Sequence, residues 1–210
     1  MQIESLSNYW GAIQKTSEGY WVHPEDRHLF VSSPHSFNLD YPPPAFVGDI
    51  INAKVVILTA NGGYKQAVTP HEFPDPRTEH EYVVRLTNPS GSDWRSVAKY
   101  YSDVNYADFI CRGIVATVNA CAYRSPKISA EPENRKLIKK LPSAAFTRRW
   151  LIDSVVTSAN RGEKLVVAKR YGLWNLPKEL MSSHGVVKDP APVSPYLAKA
   201  TLRAVHDFLA

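Results

Sequence analysis

Two unbroken apolar runs dominate the hydrophobic pattern of this chain. They lie within residues 53–64 and 113–125, and each run stops at an asparagine, Asn61 or Asn119, in a polar turn that contains glycine or arginine. Continuous apolar runs predict strands that are buried on both faces of a parallel sheet. Because ligands bind at the carboxyl ends of the strands in open α/β sheets, we expect both asparagines to face one crevice. An asparagine donates and accepts hydrogen bonds, which suits reading a nucleobase edge or holding a water.

The rest of the pattern predicts strands that alternate with helices. Short apolar segments at 165–168 and 185–187 predict two further strands. Apolar side chains at a 3.6-residue period predict a helix over 144–159. The predicted fold class is therefore α/β, as a three-layer sandwich with a central four-stranded parallel sheet and helices on both faces.

Three other segments carry signals of their own. Ser194 and Pro195 suit the N-cap and the first position of a last helix. An aromatic-rich helix with a less regular pattern is expected within 93–109. Residues 66–90, rich in Pro, His, Asp and Thr, are predicted to form a long connection, and ordered connections of that length are often functional.

The length of 210 residues suits a single compact domain. Residues 1–44 show little periodicity and many aromatic side chains, so we predict an N-terminal wrapping segment rather than a separate domain. The stretch 41–46 is a stiff, extended lead into the first strand, because its consecutive prolines cannot continue a helix. The α/β domain itself is predicted over 45–210.

Composition and charge narrow the class only slightly. Hydrophobic residues make up 44% of the chain and charged residues 21%, which is ordinary for a globular protein. No apolar run approaches the roughly 18 residues that span a bilayer, and the first residues lack a signal-peptide pattern, so a cytoplasmic protein is expected. The net charge of +5 is compatible with a polyanionic partner without requiring one. Cations clustered within 135–149 form either a solvated face or a phosphate-contacting patch.

The cysteines and histidines give no sign of metal or redox chemistry. Cys111 and Cys121 are the only cysteines and form no C-x-x-C pattern, so we expect buried, reduced thiols. Two cysteines cannot supply the four thiolates of an iron–sulfur cluster. The spacing of His71 and His80 from nearby acidic residues favours solvated loop residues over a metal site. We expect no cofactor and no metal.

The order of motifs along 45–210 resembles the uracil-DNA glycosylase superfamily. Members carry G-Q-D-P-Y or G-x-N-P-G after the first strand, and this chain has Thr59-Ala-Asn-Gly-Gly-Tyr64 there. The second strand of the family often ends in an asparagine that reads the base, which Val118-Asn119 matches. The last strand of the family leads into H-P-S-P-L-S, where this chain has Asp189-Pro-Ala-Pro-Val-Ser194.

The resemblance implies a glycosidase of DNA repair that hydrolyses the N-glycosidic bond of a flipped, damaged or deaminated base. Such an enzyme needs a polarised water on one side of the sugar and hydrogen-bond donors to the leaving base on the other. The implied catalytic residues are Asn61, which orients the water, and Asp189, and the implied base-binding residues are Asn119, Phe73 and Tyr64. Phosphate or other DNA contacts are implied for Arg124, Ser125, Lys169, Arg170 and Ser194. The expected partner is single- or double-stranded DNA. We expect the protein to be a monomer and not to bind membranes.

Asp189 stands where the family has histidine. A carboxylate at neutral pH accepts hydrogen bonds and cannot donate one to an anionic leaving base. Three interpretations follow. Asp189 is a general base or a stabiliser of the sugar cation, it is a carboxyl protonated through burial, or it marks a site that binds without cleaving.

Structural interpretations of the same residues stay open. Asn61 and its two glycines suit a tight turn with positive φ, Asn119 suits a cap at a strand end, and Asp189 before a proline suits a turn. Two rival functions also stay open, namely a non-catalytic nucleic-acid- or protein-binding module on the same fold, and a hydrolase of small nucleosides. A steep fall of DNA affinity with salt would indicate phosphate contacts and favour the DNA-binding hypotheses.

Overall fold

A five-stranded sheet lies at the centre of the protein in the computed structural model, which describes residues 5–95 and 98–210. The strands within those ranges are β1 (Gln14–Lys15), β2 (Trp21–Val22), β3 (Phe46–Val47), β4 (Val55–Gly63), β5 (Val115–Ser125), β6 (Leu165–Ala168) and β7 (Val186–Lys188). The sheet has the order β3-β5-β4-β6-β7, and β1 pairs with β2 in a separate hairpin.

Four of the five strands are parallel, which confirms the predicted α/β class. β4 pairs in parallel with β5 and β6, and β6 pairs in parallel with β7. The predicted count of four strands is wrong by one, because Phe46 and Val47 pair antiparallel with β5. The prolines just before them favour extended backbone, so these two residues arrive in a conformation that suits pairing at the sheet edge.

The two central strands are buried on both faces. Every residue of β5 is buried, and Val55, Val56, Ile57 and Leu58 of β4 are 0% exposed. Successive strand residues point to opposite faces, so both faces of the sheet are covered at these strands. This double burial explains why the sequence shows continuous apolar runs instead of alternation.

Both central strands run past the asparagines that were expected to end them. β4 ends at Gly63 and β5 at Ser125. Asn119 pairs with Thr59 within the ladder, and a bulge after Asn61 shifts the register before pairing resumes. The strand end expected at Asn119 is therefore wrong, because β5 continues to Ser125.

Helices occupy most of the connections. The α-helices within the described ranges are α1 (Leu6–Trp10), α2 (Arg27–Ser32), α3 (Thr69–Glu72), α4 (Pro76–Thr87), α5 (Lys99–Ser102), α6 (Ala107–Cys111), α7 (Pro132–Ile138), α8 (Pro142–Trp150), α9 (Thr157–Asn160) and α10 (Lys199–Leu209). Turns of 3₁₀-helix lie at Pro24–Asp26, Ile128–Ala130, Tyr171–Leu173 and Leu180–Ser182, and a π-helical turn spans Leu151–Val156. No helix in this part of the chain is long and apolar enough to cross a membrane.

The helix predicted over 144–159 is confirmed, as α8, the π-helical turn and α9 follow one another without a break. The stretch predicted as a long connection, 66–90, holds α3 and α4 instead. The start signal of α4 was present in the sequence. Asp75 is its N-cap and accepts a hydrogen bond from the Thr78 amide at 2.9 Å, and a proline follows at the first helical position. The helix expected within 93–109 is two short ones, α5 and α6, and residues 96–97 of that prediction lie outside the described residues.

The last helix begins later than predicted. α10 starts at Lys199, so Ser194 is not its N-cap. The Ser194 hydroxyl instead accepts a hydrogen bond from the Tyr196 amide at 3.1 Å, within a turn. The amide of Ala198, at the start of α10, donates to Asp189 at 3.1 Å, so a carboxylate from nine positions upstream satisfies this helix end.

The N-terminal segment packs on the same core as the sheet. Leu6, Trp10 and Phe30 belong to one buried hydrophobic cluster with the strand residues. A buried polar link reinforces this packing, since the Tyr123 hydroxyl of β5 donates to Asp26 at 2.6 Å and accepts from the backbone amide of His23 at 3.1 Å. Residues 5–44 are therefore fixed to the sheet by both apolar and polar contacts.

The two free cysteines differ in exposure. Cys121 is buried within β5, which confirms the expected buried thiol, and burial raises the pKa of that thiol. The same expectation is wrong for Cys111, which is exposed at the end of α6, where the helix meets solvent.

Gly48→Ala is expected to lower the free energy of unfolding by about 3 kcal/mol. Gly48 has a φ of +105°, and an added Cβ would lie 2.5 Å from the Val115 carbonyl oxygen of β5. Gly19 is the matched control, because its φ is +91° and nothing lies within 4 Å of an added Cβ. Gly19→Ala should lose only about 1 kcal/mol, the conformational cost. Urea unfolding measures both variants, and equal losses would show that the close approach to β5 costs nothing.

Candidate functional site

A cleft of about 680 Å³ opens at the carboxyl ends of the central strands. The residues that follow β4, β5 and β6 reach it, and α3, the segment 98–104 and Tyr196 complete its walls. In open α/β sheets this edge is where ligands bind, because the strand ends and the loops after them form a crevice there.

Tyrosine rings and cations surround the cleft together. The tyrosines that line it are Tyr64, Tyr100, Tyr101 and Tyr196, and the cations are Lys65, Arg124, Lys127 and Arg170. The carboxylates that line it are Glu72 and Asp103. Tyr100 and Tyr196 are 47% and 49% exposed, so flat aromatic surface is accessible beside positive charge.

Asn61 lines the cleft from within β4. Its side-chain nitrogen donates to the Ser125 hydroxyl at 2.9 Å and to the Gly62 carbonyl at 2.8 Å. Neither glycine after Asn61 has a positive φ, so the tight-turn interpretation is wrong. Glycine is needed at position 62 for close packing instead, since a Cβ there would lie 2.5 Å from the Ala122 carbonyl oxygen and 2.7 Å from Pro44.

Asn119 does not line the cleft, contrary to expectation. Its side chain is 2% exposed, because β5 continues past it and α5 covers it. Its side-chain oxygen accepts from the Thr59 hydroxyl at 2.7 Å, and its nitrogen donates to the Pro44 carbonyl at 2.5 Å and to the Tyr101 hydroxyl at 3.1 Å. Both amide hydrogens are thus engaged within the protein, and Asn119 supports Tyr101 from behind the cleft wall.

Arg124 reaches the cleft from β5 with a buried side chain, 4% exposed. Its Nε donates to the Pro42 carbonyl at 3.0 Å and its Nη1 to the Gly63 carbonyl at 3.2 Å. Its Nη2 is buried and has no hydrogen-bond partner among the described residues. The guanidinium thereby ties the N-terminal segment to β4 and keeps one nitrogen uncommitted.

Phe73, the aromatic predicted to stack on a base, lies behind this wall. It is buried and lines a second cavity of about 240 Å³, not the larger cleft. Its ring stacks on Tyr41 at a centroid distance of 5.6 Å, and the Arg124 guanidinium lies 5.1 Å from the ring centroid. Because Tyr41 and Arg124 lie against its ring, Phe73 supports Arg124 instead of stacking on a ligand in the cleft.

The remaining predicted contacts divide into two groups. Tyr64, Ser125 and Arg170 line the cleft, whereas Lys169 and Ser194 do not. Arg170 also donates to the carbonyl of Val193 at 2.7 Å, which joins the segment after β6 to the loop after β7.

Asp189 and Lys169 form a buried ion pair beneath the cleft. Their side chains are 0% and 1% exposed, and Lys169 Nζ lies 4.0 Å from Asp189 Oδ2. Lys169 donates to the carbonyls of Ala191 and Tyr196 at 3.2 and 2.6 Å. Asp189 accepts from the amides of Ala191 and Ala198 at 2.6 and 3.1 Å, which is the turn-forming role that the sequence left open. Burial lowers the pKa of Lys169, and the Asp189 carboxylate opposes that shift.

Sequence reasoning missed several cleft residues. Lys65 directly follows the first motif, and Tyr100 and Tyr101 stand in the aromatic-rich stretch, so both signals were present. Glu72 had no local signal, because its place in the cleft depends on how α3 folds back after β4. Burial raises the pKa of the Glu72 carboxyl, and the nearby Arg124 opposes this shift.

Residues that could hold a metal ion are not grouped in the described part of the chain, where no three His, Cys, Asp or Glu side chains come together. Comparison of the chain with known protein families, curated proteins and solved structures found no match. The fold and cleft therefore define the class directly, as a mixed α/β protein with a tyrosine- and cation-lined cleft at the carboxyl ends of its parallel strands.

Proposed function

We propose that this protein is a uracil-DNA glycosylase-like enzyme that holds one base of DNA in the cleft and hydrolyses its N-glycosidic bond. The lining of the cleft carries the proposal, because tyrosine rings, cations and Asn61 converge at one sheet edge. Base faces stack on aromatic side chains, and phosphates bind Lys and Arg. We also propose that helices cover both faces of the sheet, so that the fold has three layers.

In this proposal Asn61 orients the attacking water. Both amide hydrogens of its side chain are directed at Ser125 and Gly62, so the side-chain oxygen is the atom that accepts a hydrogen bond from the water. Extrusion of a base from the stack costs a few kcal/mol, and stacking against Tyr100 or Tyr196 offsets part of that cost.

The DNA backbone would follow the cations at the mouth of the cleft. Lys65 and Lys127 are exposed and Arg170 is half-buried, so all three reach solvent at its edge. Arg124 is enclosed and acts from inside the wall. Three phosphate contacts predict that the logarithm of the affinity falls with the logarithm of the salt concentration with a slope of about −2 to −3.

A binding module without cleavage is the second candidate, and one observation favours it. Asn119 and Asp189, to which the resemblance gives base reading and catalysis, both have their polar atoms engaged inside the protein. A protein that lost those two functions would still keep the tyrosines and cations of the cleft for binding.

An oligonucleotide panel tests the proposed function. Labelled single and double strands, each with one uracil, hypoxanthine, xanthine or alkylated base, are incubated with the protein and then cleaved by alkali at abasic sites. Strand cleavage at one lesion would support the glycosylase and identify its substrate. Salt-dependent binding without cleavage would support the binding module, whereas no binding at any salt concentration would contradict both.

A further inference from the structure

We infer that Glu72 is the general base of the cleft, the group that takes a proton from the attacking water. This inference rests on the proposed hydrolysis. The amide of Asn61 can hold a water, but it cannot remove a proton from it. A carboxylate within reach of the water can do so, and such a base typically contributes a rate factor of about 10²–10⁴.

The other carboxylates are poorly placed for this step. Asp189 is enclosed, and its two oxygens accept backbone amide hydrogens from the loop after β7. Asp103 lines the cleft but is exposed to solvent. Glu72 is the cleft carboxylate that the protein shields from water, with a side chain 18% exposed.

The position of Glu72 leaves its Oε2 available to accept a proton. It is the last residue of α3, and its Oε2 has no hydrogen-bond partner among the described residues. Among the described residues, the cation in ion-pair contact with it is Arg124, whose Nη1 lies 3.8 Å from Oε2, which is too long for a hydrogen bond. Arg124 thus compensates the buried charge, while the carboxylate keeps its capacity to accept a proton.

The surroundings of Glu72 favour a base that titrates nearer neutrality than a free carboxyl. Two sets of charged or titratable groups share cavities with Glu72. Glu81, Tyr82 and Arg85 on α4 line the smaller cavity with it, and the cleft contributes Tyr64, Lys65, Tyr100, Tyr101, Asp103, Arg124, Lys127, Arg170 and Tyr196. Burial raises the pKa of Tyr82 to about 12, so its hydroxyl stays neutral. Burial also raises the pKa of Glu72, against the opposing effect of Arg124.

The proposed step balances as follows. The water oxygen bonds to C1′ of the nucleotide as the C1′–N bond breaks, and the electron pair of that bond leaves with the base. One proton of the water passes to the Glu72 carboxylate. The leaving base is later protonated by solvent, and Glu72 returns its proton to solvent, so no oxidant, reductant or metal enters the balance.

Glu72→Gln tests the inference, because the amide keeps the shape of the side chain and cannot act as a base. We expect excision to slow at least 100-fold, while the affinity for the substrate oligonucleotide changes less than threefold. The wild-type rate should rise with pH through the Glu72 titration, and the variant should lose that rise. Glu163→Gln is the matched control, since Glu163 is exposed in an ion pair with Arg161 just before β6, at the end of that strand away from the cleft, and its rate should equal that of the wild type.

Three results would overturn the inference. A Glu72→Gln protein that excises at the wild-type rate has no need of this base. A loss of binding as large as the loss of rate would give Glu72 a structural role, and a larger loss in Asp103→Asn would assign the base to Asp103. A wild-type protein that excises nothing would instead contradict the proposed function, and the inference would fall with it.

Discussion

Asp189→Asn is expected to lower the free energy of unfolding by about 3 kcal/mol. The carboxylate is the buried counter-ion of Lys169, and both side chains are shielded from water. Asparagine leaves the ammonium without that charge, and an amide nitrogen cannot accept from the backbone amide of Ala191 or Ala198. Urea unfolding at pH 7, followed by tryptophan fluorescence, measures the loss.

A double-mutant cycle separates the interaction between Asp189 and Lys169 from a general effect of substitution. Lys169→Met removes the cation, so Asp189→Asn combined with Lys169→Met should lose clearly less stability than the two single losses added together. Asp153→Asn, at an exposed position in the π-helical turn, should stay within about 0.5 kcal/mol of the wild type. A stable Asp189→Asn protein with no excision would contradict the structural role and restore Asp189 as a catalytic candidate.

The sequence was sufficient for the elements whose cause is local. The buried central strands follow from continuous apolar runs, because a strand covered on both faces has no polar side to show. The helix over 144–159 follows from its own periodicity. Even the capping signal of α4 at Asp75 was local, although it was overlooked in a stretch rich in proline and histidine.

The position of Asn119 could not be predicted in the same way. An asparagine after an apolar run suggests a strand end, yet here the strand continues, because partners distant in sequence satisfy the side chain. The Pro44 carbonyl lies 75 positions away, and the Tyr101 hydroxyl belongs to α5, 18 positions away. A polar residue inside a strand is tolerated when such long-range hydrogen bonds are made, and only the folded chain shows them.

The start of α10 also depends on contacts between residues that are distant in sequence. Ser194 and Pro195 are a good local start signal, but Asp189 accepts from Ala198 and Lys169 binds the Tyr196 carbonyl. These tertiary contacts hold residues 189–198 as a loop and delay the helix. They also place Tyr196 in the cleft, so the departure from the sequence signal shapes the candidate site.

Asn61→Ala is expected to lower the excision rate by about 10²–10³, the usual effect of removing one aligned polar group from a preorganised site. The side-chain oxygen that would hold the water is lost, while the tyrosines and cations of the cleft stay in place. Affinity for the substrate oligonucleotide should therefore change less than threefold. Single-turnover excision with enzyme in excess measures the rate without product release.

Asn160→Ala is the matched control, because Asn160 is exposed at the end of α9 and the substitution is the same. The Asn61 variant also loses hydrogen bonds to Ser125 and Gly62, so some loss of stability, about 1 kcal/mol, should accompany the loss of rate. A rate that falls only with stability, and recovers at lower temperature, would make Asn61 a structural residue. A rate that falls in a folded protein with unchanged affinity requires Asn61 in the transition state, because a group that only bound the substrate would change the affinity as well.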